Sequence, residues 1–158
     1  MAREPDVVIT QSVLDRLLDD DPKTPSEPTP TRSQSFRQLK AALKRDLEWL
    51  LNTRRTPQEV AEGFRECNRS VLVYGLPDTS AMTVGSSKDR ATLLNLLEET
   101  VAIFEPRLLS VTVHMEGVAN STRVVKFRIE GLLNVDPAPE HVSFDTVLEL
   151  SSGEYEVK

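Results

Sequence analysis

The residues best suited to chemistry meet at one spot, Glu105-Pro106-Arg107, where an acid and a guanidinium flank a proline. Pro106 has no amide hydrogen and pushes Glu105 out of helical geometry, so the two charges sit at a rigid corner. Acid–base catalysis would need a second carboxylate whose environment drives its pKa away from that of Glu105. Asp145 is the imaginable partner of such a glycosidase pair, yet it falls on the polar alternation of a strand and no spacing brings it to Glu105. Glu98 and Glu99 are neighbours on a helix and read as a solvated outer face. A fixed acid and guanidinium are better suited to gripping a partner through charge-assisted hydrogen bonds than to catalysis.

Other chemistries find less support. His114 and His141 lie at no metal-ligand spacing from each other or from Cys67, so no metal and no cofactor is expected. Cys67 is the one cysteine, expected as a buried or half-buried thiol in a reducing compartment. No serine occupies a nucleophile elbow, and no glycine-rich loop is present to cradle phosphate. Lys40, Lys44, Arg45, Arg54 and Arg55 form a local basic patch, but the net charge is −6 and aromatic residues make up only 5%. That balance argues against nucleic acid and leaves the patch as a solvated helix face or a protein contact. No run approaches the ~18 apolar residues of a membrane span, and the polar first ten residues lack a signal-peptide pattern. A cytoplasmic protein without direct membrane insertion is expected.

The elements that must position the corner follow from periodicity. Leu93, Leu97, Val101 and Phe104 predict a helix from Ser87 to Phe104, and Leu109, Val111, Val113 and Met115 predict the strand after it. Upstream, Ser35 and Gln38 have capping-box spacing. Phe36, Leu39, Leu43, Leu47 and Leu50 continue as an apolar stripe to Asn52, with Trp49 expected in the core. Thr56-Pro57-Gln58-Glu59 predicts a second, shorter helix carrying Val60 and Phe64. Ser70 to Tyr74 reads equally as a helical turn or a short strand. Three further strands are predicted: Val125 to Ile129, Val142 to Leu150, and Tyr155 with Val157, with Gly131 marking a bulge or a close backbone approach. The fold class is α+β, with helices on one face of a mostly antiparallel sheet of about four strands.

The organisation expected is an N-terminal docking peptide over residues 1–20, a Pro-rich flexible linker over 21–34, and one α+β domain over 35–158. Within the peptide, Val13, Leu14, Leu17 and Leu18 share a helical face that docks either on its own domain or in the groove of a partner. The chain closes in an alternating hairpin, Glu149 to Lys158, which either offers an open edge for strand addition or is the ordinary border of the sheet.

Five phrases taken in order carry a family resemblance. They are Arg45 to Arg55, Ser70 to Asp78, Glu105 to Leu108, Phe127 to Leu133 and Val142 to Leu150, with Ser12 to Asp20 matching in addition. Together they resemble the TssE family of type VI secretion baseplate subunits, which is similar to wedge proteins of contractile phage tails once labelled lysozyme-like. The resemblance implies a structural subunit at the inner-membrane-associated baseplate. Its implied partners are the TssF and TssG wedge core, TssK, and the TssB–TssC sheath. It also implies that Glu105, Pro106 and Arg107 contact the wedge core. The lysozyme-like label implies the alternative, a peptidoglycan hydrolase with Glu105 as its acid.

Overall fold

The computed structural model describes residues 8–18, 23, 28–57, 60–61, 63–79, 81–83, 85–119 and 124–158. Helix α1 spans Val13–Leu17, α2 spans Arg32–Asn52 and α3 spans Ser87–Phe104. Strands β1 (Leu108–Ala119), β2 (Val124–Leu133), β3 (Glu140–Glu149) and β4 (Glu154–Val157) form one antiparallel sheet in the order β1-β2-β3-β4. The fold is α+β, as the periodicity predicts.

Alternation sets the two faces of the sheet. Val125, Phe127, Ile129 and Leu133 of β2 are buried with Val142, Phe144 and Leu148 of β3 and with Tyr155 and Val157 of β4. The α2 stripe of Leu39, Leu43, Leu47, Leu50 and Leu51 joins them, as do Leu93, Leu97 and Val101 of α3. On the opposite face Arg128 bridges Glu116 and Asp145 across three strands. Asp145 is therefore an outer-face carboxylate, far from a role beside Glu105.

Gly131 meets the close approach expected of it. A Cβ there would lie 3.2 Å from the Leu109 carbonyl oxygen, opposite a bulge in β1 between Leu109 and Thr112. Ser110 within that bulge takes a φ of 52°, a left-handed value that a non-glycine residue adopts at a cost.

Several expectations are corrected. The capping box of α2 is Thr31 with Gln34, so the helix begins near Arg32 rather than at Ser35. Ser35 is instead buried, and its hydroxyl accepts from the Ile9 amide at 3.2 Å. Trp49 lies outside the core at 53% exposure. No helix follows Thr56 among the described residues: 55–57, 60–61 and 63–64 are irregular, and Gln58 and Glu59 lie outside the described residues. With Gly63 between them, Val60 and Phe64 give too little apolar surface to sustain a short helix, and Phe64 is exposed. Ser70 to Tyr74 resolves as a 3₁₀ turn over Val71–Val73, preceded by another over Cys67–Arg69. Cys67 is exposed, not buried. Residues 120–123 between β1 and β2, and residues 21–22 and 24–27 of the Pro-rich linker, lie outside the described residues.

Candidate functional site

The corner begins where α3 ends. The Glu105 amide still donates to Val101 O at 2.8 Å, and then Pro106 stops the ladder. The Leu108 amide bonds back to Glu105 O at 3.1 Å, and the Asn134 amide bonds to Arg107 O at 2.9 Å, so the start of β1 is tied to the end of β2. Tyr74 covers the approach, its ring 5.3 Å from that of Phe104 at 73°, an edge-to-face contact. Burial raises the Tyr74 phenol pKa, with the Asp46 and Glu105 charges adding to the shift.

Glu105 is only 4% exposed, so its charge needs compensation. Arg107 supplies it as a fork: Nε donates to Oε1 at 2.6 Å and Nη2 to Oε2 at 2.5 Å. The Arg107 amide adds a third bond to Oε1 at 3.3 Å. Nη2 also donates to Asp46 Oδ2 on α2 at 2.7 Å. The hydrogen bonds to Glu105 outweigh burial and, with those to Asp46, hold the Arg107 pKa above the ordinary guanidinium range. Both Glu105 oxygens are occupied and the nearest other carboxylate, Asp46, is itself paired with two arginines. A general acid must reach its substrate with a carboxyl oxygen, and at this corner those oxygens are engaged by Arg107 and Arg45.

The network runs further than the sequence motif. Asp46 Oδ1 accepts from Arg45 Nε at 2.9 Å and Nη2 at 2.7 Å. Arg45 Nη2 then reaches Asp15 Oδ1 of α1 at 2.8 Å. Ser12 caps α1, accepting from the Asp15 amide at 3.1 Å and donating to Asp15 Oδ2 at 2.5 Å. The Arg45 guanidinium also lies 4.9 Å from the centroid of the Trp49 ring, a cation–π contact on the outside of α2. One relay of alternating charge therefore joins Glu105, Arg107, Asp46, Arg45 and Asp15.

This relay decides how the N-terminal peptide sits. Ile9 is buried in the core and the Gln11 side chain donates to Ser35 O at 2.8 Å. The polar side of α1 thus faces its own domain. The candidate docking residues face outward: Val13 is 72% exposed and Leu17 76%, with Leu14 and Leu18 exposed beside them. The structure brings Glu105 and Arg107 together and links them to α1 by charge, while Val13 and Leu17 point to solvent and Leu14 and Leu18 are half-exposed.

Asp15 makes that docking pH-dependent. Burial alone would raise its carboxyl pKa, but the hydrogen bonds from Ser12 and Arg45, with the charges of Arg45 and Arg107, bring it below the ordinary value. A depressed carboxyl stabilises the docked state above the free-chain pKa, about 4, and that contribution is lost as pH falls through the docked value. Hydrogen exchange should show the α1 amides protected at pH 7 and released below about pH 4. Asp15→Asn should weaken protection at pH 7 and flatten its pH dependence; an unchanged profile in that variant would remove Asp15 from the latch.

Comparison with known proteins gives the family. The sequence matches the model of the baseplate wedge protein gp25 over residues 37–138. The chain belongs to the gp25 baseplate wedge family. The matched span takes in most of α2, the Glu105–Arg107 corner, β1 and β2, so the central part of the relay lies inside the gp25 region and α1 lies outside it. The gp25 baseplate wedge family is a structural family. A chain of a solved structure titled "The baseplate complex from the type VI secretion system" is similar, with a TM-score of 0.48 and 19% identity, covering 70% of this chain and 94% of that one. Curated proteins gave no match. Among the described residues no helix is long and apolar enough to cross a membrane.

Sequence reasoning found Glu105 and Arg107, named Arg45 only as part of a basic patch, and missed Asp46 and Asp15. One signal was present: Arg45-Asp46 opens the first of the family phrases, a charged pair lying between the stripe residues Leu43 and Leu47.

Proposed function

We propose that this chain is the TssE-type subunit of a type VI secretion baseplate, a non-enzymatic part that binds the wedge core and helps start sheath assembly. Its membership of the gp25 family and the five ordered sequence phrases support that reading. The observation that carries it is the charge relay. A buried acid is held by a half-exposed arginine, whose network ends on a small helix presenting four apolar residues outward. Such an arrangement builds a rigid contact surface and leaves no reactive group free. In this reading Arg107 keeps Glu105 and Asp46 in place and presents its exposed guanidinium edge to an acceptor on the TssF–TssG wedge core. The Val13, Leu14, Leu17 and Leu18 face docks on a baseplate neighbour, TssK being another candidate, and the sheet edge serves the TssB–TssC sheath. The subunit acts on the cytoplasmic side of the inner membrane.

The test is co-purification of the tagged chain with co-expressed TssF and TssG. The native chain should retain both. Val13→Ser with Leu17→Ser, exposed positions whose change spares the core, should lower retention at least tenfold, while Arg107→Lys should weaken it with the fold kept. A native chain that retains neither protein would overturn the assignment.

A further inference from the structure

An open sheet has two edges whose backbone groups lack a strand partner. On β1, the Val113 amide donates to Glu98 Oε1 of α3 at 2.8 Å, so Glu98 is an edge cover rather than a merely solvated acid. On β4 the phase is fixed by the Lys158 amide, which donates to Asp145 O at 2.7 Å. Antiparallel alternation then turns Glu154 and Glu156 toward β3 and sends the N–H and C=O of Tyr155 and Val157 outward.

Asn52, the last residue of α2, occupies the first of these positions. Its Nδ2 donates to Tyr155 O at 2.8 Å, and the Tyr155 amide donates to its Oδ1 at 2.8 Å. One carboxamide thus makes both bonds that a peptide unit of a neighbouring strand would make. Among the described residues, the outward groups of Val157 make no hydrogen bond. A cleft of about 790 Å³ lies along this edge, lined by Glu48, Asn52, Arg54, Glu149, Glu154 and Glu156 among others. Lys158 pairs with Glu156 at 3.3 Å, and four carboxylates against that ammonium and one guanidinium still leave the field negative.

We propose that the outer edge of β4 receives an extended, lysine- or arginine-bearing segment of a partner protein, and that Asn52 holds the place of its peptide group until it arrives. The proposal rests on the reading that this subunit offers a sheet edge to its neighbours; it adds which edge, what guards it and the charge of the occupant. Backbone pairing supplies the affinity and the acidic cleft supplies the choice among segments. The guard has a physical purpose: an uncovered four-residue edge invites pairing with any exposed strand.

The experiment uses the full chain and two probes, a capped peptide of alternating lysine and valine and its glutamate-for-lysine counterpart. Affinity is measured by titration, and the site by exchange of the Tyr155 and Val157 amides. The lysine peptide should bind the native chain and slow exchange at Val157. Asn52→Ala should speed Tyr155 exchange without peptide and tighten lysine-peptide binding roughly tenfold, because the competing amide is gone. Glu154→Lys with Glu156→Lys, both exposed, should reverse the preference toward the glutamate peptide. Equal binding of both peptides, protection on β1 instead of β4, or a folded Asn52→Ala chain with unchanged affinity would each overturn the proposal. Should Asn52→Ala fail to fold, the charge-reversal variant decides alone. Retention of TssF and TssG without peptide binding at β4 would sink this inference while leaving the baseplate reading intact.

Discussion

Arg107→Ala is expected to destabilise the chain by about 3–5 kcal/mol, the cost of removing one member of a buried ion pair. At a thermal sensitivity of roughly 2–4 °C per kcal/mol for a chain of this size, the unfolding midpoint should fall on the order of 10 °C. The reason is Glu105, whose side chain is 5% accessible and whose two oxygens both take their protons from Arg107. Without the guanidinium, the buried carboxylate keeps one of its donors, the residue-107 amide at 3.3 Å. Glu105→Gln should cost less, because Asp46 still faces Arg107 at 2.7 Å and the guanidinium is partly solvated. Arg107→Lys should fall between the two, since an ammonium keeps the charge but cannot match both carboxylate oxygens and Asp46 at once. The decisive comparison is the double variant Glu105→Leu/Arg107→Met. It should recover most of the loss, as apolar replacements of buried ion pairs often do. Thermal unfolding checks all four, and an Arg107→Ala chain that melts with the native one would show that Arg107 does not carry the Glu105 charge.

This expectation changes how binding experiments on the corner are read. Alanine variants would report a weakened scaffold together with any lost contact. The exposed α1 substitutions at Val13 and Leu17 separate the two effects, because they leave the core and the Glu105–Arg107 pair intact.

What the sequence disclosed and what it hid divide along a physical line. Val125, Phe127 and Ile129 alternate with Lys126 and Arg128, and burial follows that alternation residue by residue. Pro106 marks its own corner because the missing amide acts locally. The Arg107–Asp46 pair spans 61 positions, and no local rule foretells which acid on a long helix will face a distant arginine. Trp49 was misplaced for a similar reason: it borders the Leu47 and Leu50 stripe, but Arg45 holds its ring on the outside by a cation–π contact. Thr31 and Ser35 both have cap chemistry with a glutamine three residues on. The choice between them fell to tertiary packing, since Ser35 is needed to receive the Ile9 amide. The α1 face was legible as amphipathic, but its direction was not. Only Asp15 and Arg45 together turn the polar side inward.

Gly75→Ala should be the most damaging substitution away from the corner itself. Gly75 takes a φ of +99°, and a Cβ there would stand 2.2 Å from the Thr53 carbonyl oxygen. That oxygen accepts from the Leu76 amide at 2.8 Å, while the Arg55 amide donates to Leu76 O at 2.7 Å, so the clash falls on a two-bond clamp. Backbone strain of this kind costs about 1–3 kcal/mol, and the overlap adds to it because main chain cannot rotate aside as a side chain would. The clamp joins the end of α2 to the segment holding Tyr74, which covers Phe104 at the end of α3. Breaking it should therefore loosen the cover of the corner as well as lower the melting point. Tyr74 reports this directly: its phenol pKa, raised mainly by burial, should drop back toward the ordinary value of about 10 in Gly75→Ala. Tyr155 serves as an internal reference, since burial holds its phenol up at about 12 on β4, the edge strand opposite β1. Gly117→Ala, where an added Cβ meets nothing within 4 Å, should leave both tyrosine titrations and the melting point near native. If Tyr74 titrates identically in the native and Gly75→Ala chains, the clamp does not hold the cover, and the rigidity of the corner must come from Pro106 and Arg107 alone.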